Sequence, residues 1–243
     1  MQLINKNILI TGATSGIGLE LVEQLYKKNT IYIIARNQKK INTLKEKFAL
    51  VKVFKADLNN IDELKLVSEA LRSETPHLDV LINNAAVQYT PTFIDDDFDF
   101  DSIEREITTN FTSLCCLTHL LLPLLNHEKP AAILNVNSGL SLVPKKTSAI
   151  YCATKGALNI FSQSLRYQLQ HTNIKVMQAF LPLVDTAMTK GRGKGKMSPS
   201  KVSALIIDGI EKSVDDNDIG KVKLLRILLR FLPFIARNIM RNH

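Results

Sequence analysis

The sequence predicts a single α/β domain built on a doubly wound parallel sheet, with helices on both faces. Short apolar, β-branched segments alternate along the chain with helical patterns. These segments are almost continuously apolar, as expected for strands covered on both faces. No repeat, low-complexity stretch or linker divides the 243 residues, so we expect one domain covering 1–243.

The individual elements follow from the local patterns. We predict strands at 7–11, 31–35, 51–54, 78–82, 131–136 and 174–180. We predict helices at 16–28, 61–72, 103–124 and 149–170, and a last helix at about 225–241. A further helix follows the second strand and ends at about Phe48. This alternation is typical of parallel strands joined by right-handed crossovers.

Composition excludes several classes of protein. No apolar run of about 18 residues predicts a membrane span, and the N-terminus lacks the apolar stretch of a signal peptide. The three cysteines lack metal-site spacing, so we expect no metal, and free thiols in a reducing, cytoplasmic compartment. Much of the net charge of +8 lies in the last quarter of the chain, which predicts a local basic feature and no nucleic-acid partner.

A glycine-rich turn follows the first strand. The segment TGATSGIG (11–18) has the spacing G-x-x-x-G-x-G. Glycines in a strand–turn–helix context let a phosphate approach backbone N–H groups at a helix N-terminus. The segment therefore predicts a Rossmann-type dinucleotide site, and the alternative is a tight connection without a ligand. The predicted cofactor contacts in this turn are Gly12, Thr14, Ser15, Gly16, Ile17 and Gly18.

The end of the second predicted strand bears on the choice of cofactor. It reads ARNQKK, with Arg36 and no acidic residue. An acid there usually binds the ribose hydroxyls of NAD, whereas an arginine accommodates the 2′-phosphate of NADP. We therefore expect NADP(H) to be preferred, with NAD(H) possible. The alternative is that Arg36 and the lysines only begin a solvated helix.

Two further patterns contain polar groups in otherwise apolar helices. In the helix at 103–124, Asn110 interrupts an apolar seam, either as a structural amide or because it faces a site. That seam consists of Ile103, Ile107, Leu114, Leu117, Leu121 and Leu124.

In the next helix, Tyr151 and Lys155 lie one turn apart, and a nearby ammonium is expected to lower the pKa of a phenol. Ser138 follows a predicted strand, at the edge where α/β sheets bind ligands.

The chain resembles the short-chain dehydrogenase/reductase family over nearly its whole length. The matching segments are TGATSGIG, Asp57-Leu58, NNAA (83–86), Asn110, Ser138 and YCATK (151–155). It is most similar to the bacterial oxidoreductases named after the operon for teichoic-acid D-alanylation. Three positions depart from the family pattern: Ala86, Asn137 and Leu183.

The resemblance implies an enzyme that interconverts a small-molecule carbonyl and alcohol. Tyr151 would be the acid/base, Lys155 would bind the nicotinamide ribose, Ser138 would hold the substrate oxygen, and Asn110 would hold a relay water. The resemblance also implies a homodimer or homotetramer. The other cofactor contacts that it implies are Asp57, Leu58, Asn84, Ala85, Pro182 and Thr186. The alternative is a cofactor-binding sensor or scaffold with little turnover, against which the intact set of four residues argues.

Two basic segments remain. The resemblance makes 185–215 a substrate lid, and the cations of KGRGKGK (190–196) would either meet an acidic substrate or, as we favour, lie in solvent. The segment 225–243 predicts a basic amphipathic helix kinked at Pro233, which would contact a membrane surface (225–241) or serve as a packing or oligomer helix. Its arginine stripe is Arg226, Arg230, Arg237 and Arg241.

Overall fold

The computed structural model describes residues 1–241, which form a seven-stranded parallel sheet flanked by helices. The strands are β1 (Asn7–Thr11), β2 (Thr30–Ala35), β3 (Lys52–Lys55), β4 (Val80–Asn83), β5 (Ala131–Ser138), β6 (Ile174–Leu181) and β7 (Asp216–Asp218). Their order in the sheet is β3-β2-β1-β4-β5-β6-β7. The predicted fold class is confirmed.

Helices cover both faces of this sheet. They are α1 (Gly16–Leu25), α2 (Gln38–Lys47), α3 (Ile61–Glu74), α4 (Asp101–Ile107), α5 (Ser113–Leu125), α6 (Ala149–Gln168), α7 (Pro199–Glu211), α8 (Val222–Phe231) and α9 (Pro233–Arg241). Successive residues of β1 enter opposite cores. Ile8 and Ile10 pack on the α1/α7 face, and Leu9 packs on the α3/α5/α6 face. This alternation explains why consecutive residues of β1 are apolar.

The strand order fixes the place of a ligand site. The chain reverses direction across the sheet between β1 and β4, which are hydrogen-bonded neighbours. Ligands of open α/β sheets bind outside the carboxyl ends of the strands at such a switch point. The glycine turn follows β1 and Asn84 follows β4, so both lie at this crevice.

The helix predicted at 103–124 contains a π-helical turn. Residues Thr108–Thr112 form that turn between α4 and α5. The buried face of α4 is therefore Ser102 and Glu106, while Ile107 is 40% exposed. The predicted seam is wrong in α4, because the wider turn moves the buried face by one residue.

The same continuous helix is long and apolar enough to cross a membrane by length and mean hydropathy alone. It packs within the domain instead. Leu117 and Leu121 are fully buried in the core cluster that also contains Leu64 of α3 and Leu165 of α6. A core helix of a globular domain meets the same criterion.

The C-terminal segment also differs from its prediction. The predicted helix 225–243 is two helices, α8 and α9, separated at Leu232, and residues 242 and 243 lie outside the described residues. A proline cannot supply the N–H that would continue α8, so Pro233 begins a new helix.

Candidate functional site

The glycine turn is held tightly between β1 and β4. The Thr11 hydroxyl accepts hydrogen bonds from the backbone N–H groups of Asn84 and Ala85, both at 3.0 Å. The Asn84 side chain donates to the carbonyls of Thr11 (2.9 Å) and Gly12 (3.2 Å). Gly12 has φ +66°, and a Cβ there would lie 2.8 Å from the Ala85 Cα. Only glycine combines this conformation with this close approach.

Arg36 lies at the other end of the crevice and is paired. Its guanidinium lies 2.9 Å from Asp57, while 60% of its side chain stays exposed. Burial raises the pKa of the Asp57 carboxyl, but hydrogen bonds from the Asn59 backbone and from Arg36 outweigh burial and hold that pKa below its ordinary value. No acid near Arg36 was predicted from the sequence, because Asp57 follows β3 and comes beside Arg36 only through the pairing of β2 with β3.

Ser138, Tyr151 and Lys155 come together where β5 meets α6. Ser138 is the last residue of β5, as predicted, and its hydroxyl accepts a hydrogen bond from the Leu140 N–H at 3.1 Å. The buried Lys155 ammonium donates to the Val136 carbonyl at 2.8 Å and lies 5.8 Å from the centre of the Tyr151 ring. A phenol, a hydroxyl and an ammonium therefore share one pocket.

Burial governs the acidity of these groups. It raises the pKa of Tyr151 to about 12, and a hydrogen bond with Ser138 acts in the opposite direction. It lowers the pKa of Lys155 to about 8. The net shift of the Tyr151 pKa is therefore upward, opposite to the lowering expected from a nearby ammonium, because desolvation disfavours the charged form of the phenol.

Asn110 lies in the π-helical turn and is fully buried. Its amide accepts from the Val87 N–H at 2.8 Å and donates to the Val87 carbonyl at 2.9 Å. It also lies 3.3 Å from the Thr154 hydroxyl, which donates in turn to the Tyr151 carbonyl. Asn110 therefore ties the segment after β4 to the helix that carries Tyr151 and Lys155. The π turn is the kind of helix irregularity often found at functional sites.

One cavity of about 1440 Å³ joins these parts. Its volume exceeds the usual 300–1,000 Å³ of a small-molecule pocket, which leaves room for two ligands. Gly18 and Asn110 do not line it. The predicted site residues in its wall are Gly12, Thr14, Ser15, Gly16, Ile17, Arg36, Asp57, Leu58, Asn84, Ala85, Ser138, Tyr151, Lys155, Pro182 and Thr186.

A family model described as short chain dehydrogenase matches residues 6–196. The chain belongs to the short-chain dehydrogenase family. The match covers both the glycine turn and the Ser138, Tyr151 and Lys155 pocket, so the resemblance read from the sequence is confirmed. Family membership makes the protein an oxidoreductase.

Relatives within this family have diverse names. The chain is 31% identical to the uncharacterized oxidoreductase DltE of Bacillus subtilis, over 93% of this chain and 92% of the relative. It is 32% identical to an NADP-dependent 3-hydroxy acid dehydrogenase of Schizosaccharomyces pombe, over 80% and 77%. A short chain dehydrogenase from Burkholderia cenocepacia, solved in complex with NADP, superposes with a TM-score of 0.88 at 20% identity, over 99% of both chains.

Part of the cavity wall was not predicted from the sequence. Arg192 lines it near Tyr151, and Lys145 lines it beside Arg192. No motif marks Lys145, whereas Arg192 belongs to KGRGKGK, whose cations were expected to lie in solvent. The helix pair α8–α9 closes another side with apolar groups. These groups are Val222, Leu224, Leu225, Leu228, Ile239 and Met240. The amphipathic spacing of these residues is visible in the sequence, but the sequence does not show that they face the cavity.

The predicted lid segment divides in two. Residues between 183 and 197 line the cavity, and the backbone pairs of Leu183 and Asp185 with Met197 close them into a loop. The helix α7 instead packs on α1, with Val202 and Ile206 in the core. Within residues 1–241 there is no cluster of three His, Cys, Asp or Glu side chains that could hold a metal ion.

Proposed function

We propose that this family member is an NADP(H)-dependent oxidoreductase that interconverts a carbonyl and an alcohol, with Tyr151 as the proton donor and acceptor. The observation that carries the proposal is the cavity that joins the glycine turn to the pocket of Tyr151, Lys155 and Ser138. A reactive tyrosine without a nucleotide crevice, or a nucleotide crevice without a reactive group, would not support this function.

The cavity wall fits a dinucleotide. Gly12 lines the cavity, and Gly18 lies behind it, where a Cβ would come within 2.8 Å of the Ala13 Cα, so both glycines keep the turn tight enough for its backbone to meet a phosphate. Ser15 precedes α1 without capping it, so the first N–H groups of that helix are available to a phosphate. Arg36 would bind the 2′-phosphate, which favours NADP(H) over NAD(H), and the name of the Schizosaccharomyces relative agrees with that preference.

The remaining cofactor contacts would be spread around the crevice. Leu58 and Asp57 would flank the adenine. Asn84 and Ala85 would lie beneath the glycine turn that binds the diphosphate. Pro182 and Thr186 would border the nicotinamide. When bound, the cofactor supplies or accepts the hydride.

The chain's own groups would manage the proton. Ser138 would donate a hydrogen bond to the substrate oxygen, and Tyr151 Oη would give that oxygen its proton during reduction. Lys155, fixed by Val136, would favour the phenolate that remains, and Asn110 would support a relay to solvent. With a pKa of about 12, the phenol is protonated at neutral pH and so holds the proton that reduction requires.

The test is NADPH consumption with a panel of aldehydes, ketones, quinones and 3-oxoacyl compounds. We expect Tyr151→Phe to lower kcat by about 100-fold to 10,000-fold. Tyr167→Phe is the matched control, because Tyr167 lies on the same helix and is 68% exposed. Tight NADPH binding with no turnover of any compound would favour the sensor or scaffold instead.

A second candidate function is a reductase that works at a membrane surface on a lipid-like substrate. The helix pair α8–α9 exposes Leu224, Ile227, Phe231, Leu232, Phe234, Ile235 and Ile239. The chain has no Asp or Glu after Asp218, so this surface is apolar and basic, as in helices that lie on anionic membranes. Arg226 does not belong to the basic face, because it pairs with Asp218 at 2.8 Å.

Vesicle co-sedimentation tests this candidate. Phe234 is 82% exposed on α9, so Phe234→Asp should abolish binding to phosphatidylglycerol vesicles. Ile94→Asp is the control, since Ile94 is 90% exposed outside the helix pair. Equal sedimentation of the two variants would remove the membrane candidate. A dimer or tetramer in sedimentation velocity that dissociates only in Phe234→Asp would assign the helix pair to subunit contact.

A further inference from the structure

The wall of the cavity is strongly basic. Seven basic side chains line it, against a single acid, Asp57, which is already paired with Arg36. Lys155 belongs to the reactive pocket, and Arg36 and Lys40 lie at the end away from it. Lys194 and Lys221 are exposed to solvent, whereas Lys145 and Arg192 are half-buried near the reactive pocket and have no role in the proposed function.

Lys145 and Arg192 lie close to the reacting phenol. Arg192 is near enough to Tyr151 to lower the pKa of the phenol, and near enough to Lys145 to lower the pKa of that ammonium. Lys145 also interacts with Cys152, the residue after Tyr151. The two cations come from different elements, since Lys145 precedes α6 and Arg192 belongs to the loop between β6 and α7.

Neither cation has an acidic partner. Across residues 1–241, no carboxylate oxygen lies within 4.0 Å of Lys145 or Arg192. Lys196 of the same loop differs, because it lies 3.4 Å from Asp185 and also donates to the Thr189 carbonyl. Burial lowers the pKa of both Lys145 and Arg192, so each is partly desolvated without a compensating charge. Such a pair favours an anion that arrives from outside.

We infer that the substrate is a carbonyl compound carrying a carboxylate or similar anionic group, which Lys145 and Arg192 bind beside Tyr151. The inference rests on the proposed function and specifies its substrate class. The anion could also come from a cofactor phosphate. The glycine turn and α1 already provide for the diphosphate, whereas Lys145 and Arg192 lie beside the phenol, so the substrate is the source that the arrangement supports.

The experiment compares charged and neutral forms of one carbon skeleton. The probes are 2-oxo and 3-oxo carboxylates, each beside its methyl ester, assayed by NADPH consumption. Calorimetric binding of the same carboxylates to the NADPH-saturated protein gives a second readout. The variants are Lys145→Gln and Arg192→Gln. The matched controls are Lys146→Gln and Lys190→Gln, which change exposed neighbours that do not line the cavity.

We expect wild type to prefer a carboxylate over its ester by about 10-fold to 100-fold in kcat/KM. Either cavity variant should remove most of that preference and leave the KM for NADPH unchanged, while the two controls should behave as wild type. Equal use of acid and ester by wild type would overturn the inference and leave the oxidoreductase intact. A raised KM for NADPH with an unchanged acid preference would assign the cations to the cofactor.

The binding readout separates the two proposals. Carboxylate binding that depends on Lys145 and Arg192, with no turnover, would uphold the anion site and refute the reductase. Absence of both carboxylate binding and carboxylate turnover would refute the anion site, whatever the esters do.

Discussion

Replacing Glu106 by glutamine should make the protein more stable at high pH. Glu106 lies on the buried face of α4, is 2% exposed, and accepts a hydrogen bond from the Tyr89 N–H at 3.3 Å. Burial raises its pKa from 4.5 to about 7, although the Tyr89 hydrogen bond acts in the opposite direction. Glutamine keeps an acceptor for Tyr89 and carries no charge to desolvate.

The sign follows from proton binding. Between pH 4.5 and 7 the folded carboxyl keeps a proton that the unfolded chain has lost, so the folded state loses stability as the pH rises. Above pH 7 this loss of folding stability is constant. The difference between the two pKa values, at 1.36 kcal/mol per unit, makes the loss about 3 kcal/mol. Glu106→Gln should therefore gain about 1 kcal/mol in free energy of unfolding at pH 5 and about 3 kcal/mol at pH 8.

Urea unfolding of wild type and variant at pH 5 and pH 8 measures this difference. Glu104→Gln is the matched control, because it removes an exposed carboxylate from the same helix. A Glu106→Gln effect that is the same at both pH values would refute the reasoning. So would an equal pH-dependent gain in Glu104→Gln, since net charge and not burial would then be the cause.

Three other substitutions test the cofactor crevice and its supports. Arg36→Gln should weaken NADPH binding by about 10-fold to 100-fold and leave NADH unchanged, and equal losses for both cofactors in fluorescence titrations would disprove the 2′-phosphate contact. Asn110→Leu should cost about 2–4 kcal/mol in urea unfolding by orphaning both Val87 backbone groups; a loss under 1 kcal/mol would show that water replaces the amide. Gly18→Ala should lower both stability and NADPH affinity, whereas Gly156→Ala, with nothing within 4 Å of its new Cβ, should gain up to about 1 kcal/mol; matching thermal shifts would contradict the crowding at Gly18.

The parts of the fold that the sequence predicts well are those with local signals. Strands β1, β2, β4, β5 and β6 are largely apolar because both of their faces are covered. The predicted bounds of these strands and of β3 lie within about two residues of the observed ones. Strand β7 was missed because it is an edge strand of three polar residues, Asp216–Asp218, which forms only by pairing with β6. No local pattern distinguishes such a segment from a turn.

The site shows the same division. The glycine turn and the Tyr151–Lys155 spacing are local, and the structure places both at one cavity. The pairing of Arg36 with Asp57 depends on the register of β2 and β3, and the meeting of Lys145 with Arg192 depends on the path of the loop after β6. The raised pKa of Tyr151 was also beyond the sequence, because it depends on how fully the surrounding groups exclude water.

The π-helical turn at Thr108–Thr112 has a further consequence for the chemistry of the neighbouring helix. An uninterrupted α-helix with the predicted seam would present Ile107 to the interior, but the extra residue in the turn presents Glu106 instead. Glu106 is near enough to Tyr151 to raise the tyrosine pKa. If the same residues were wound as a regular α-helix, Ile107 would replace Glu106 beside that phenol. A one-residue deletion within 108–112 would instead place Glu106 seven residues before Leu114 and keep it on the buried face. The electrostatic surroundings of Tyr151 are thus set by how many residues one helical turn contains, as well as by which residues they are.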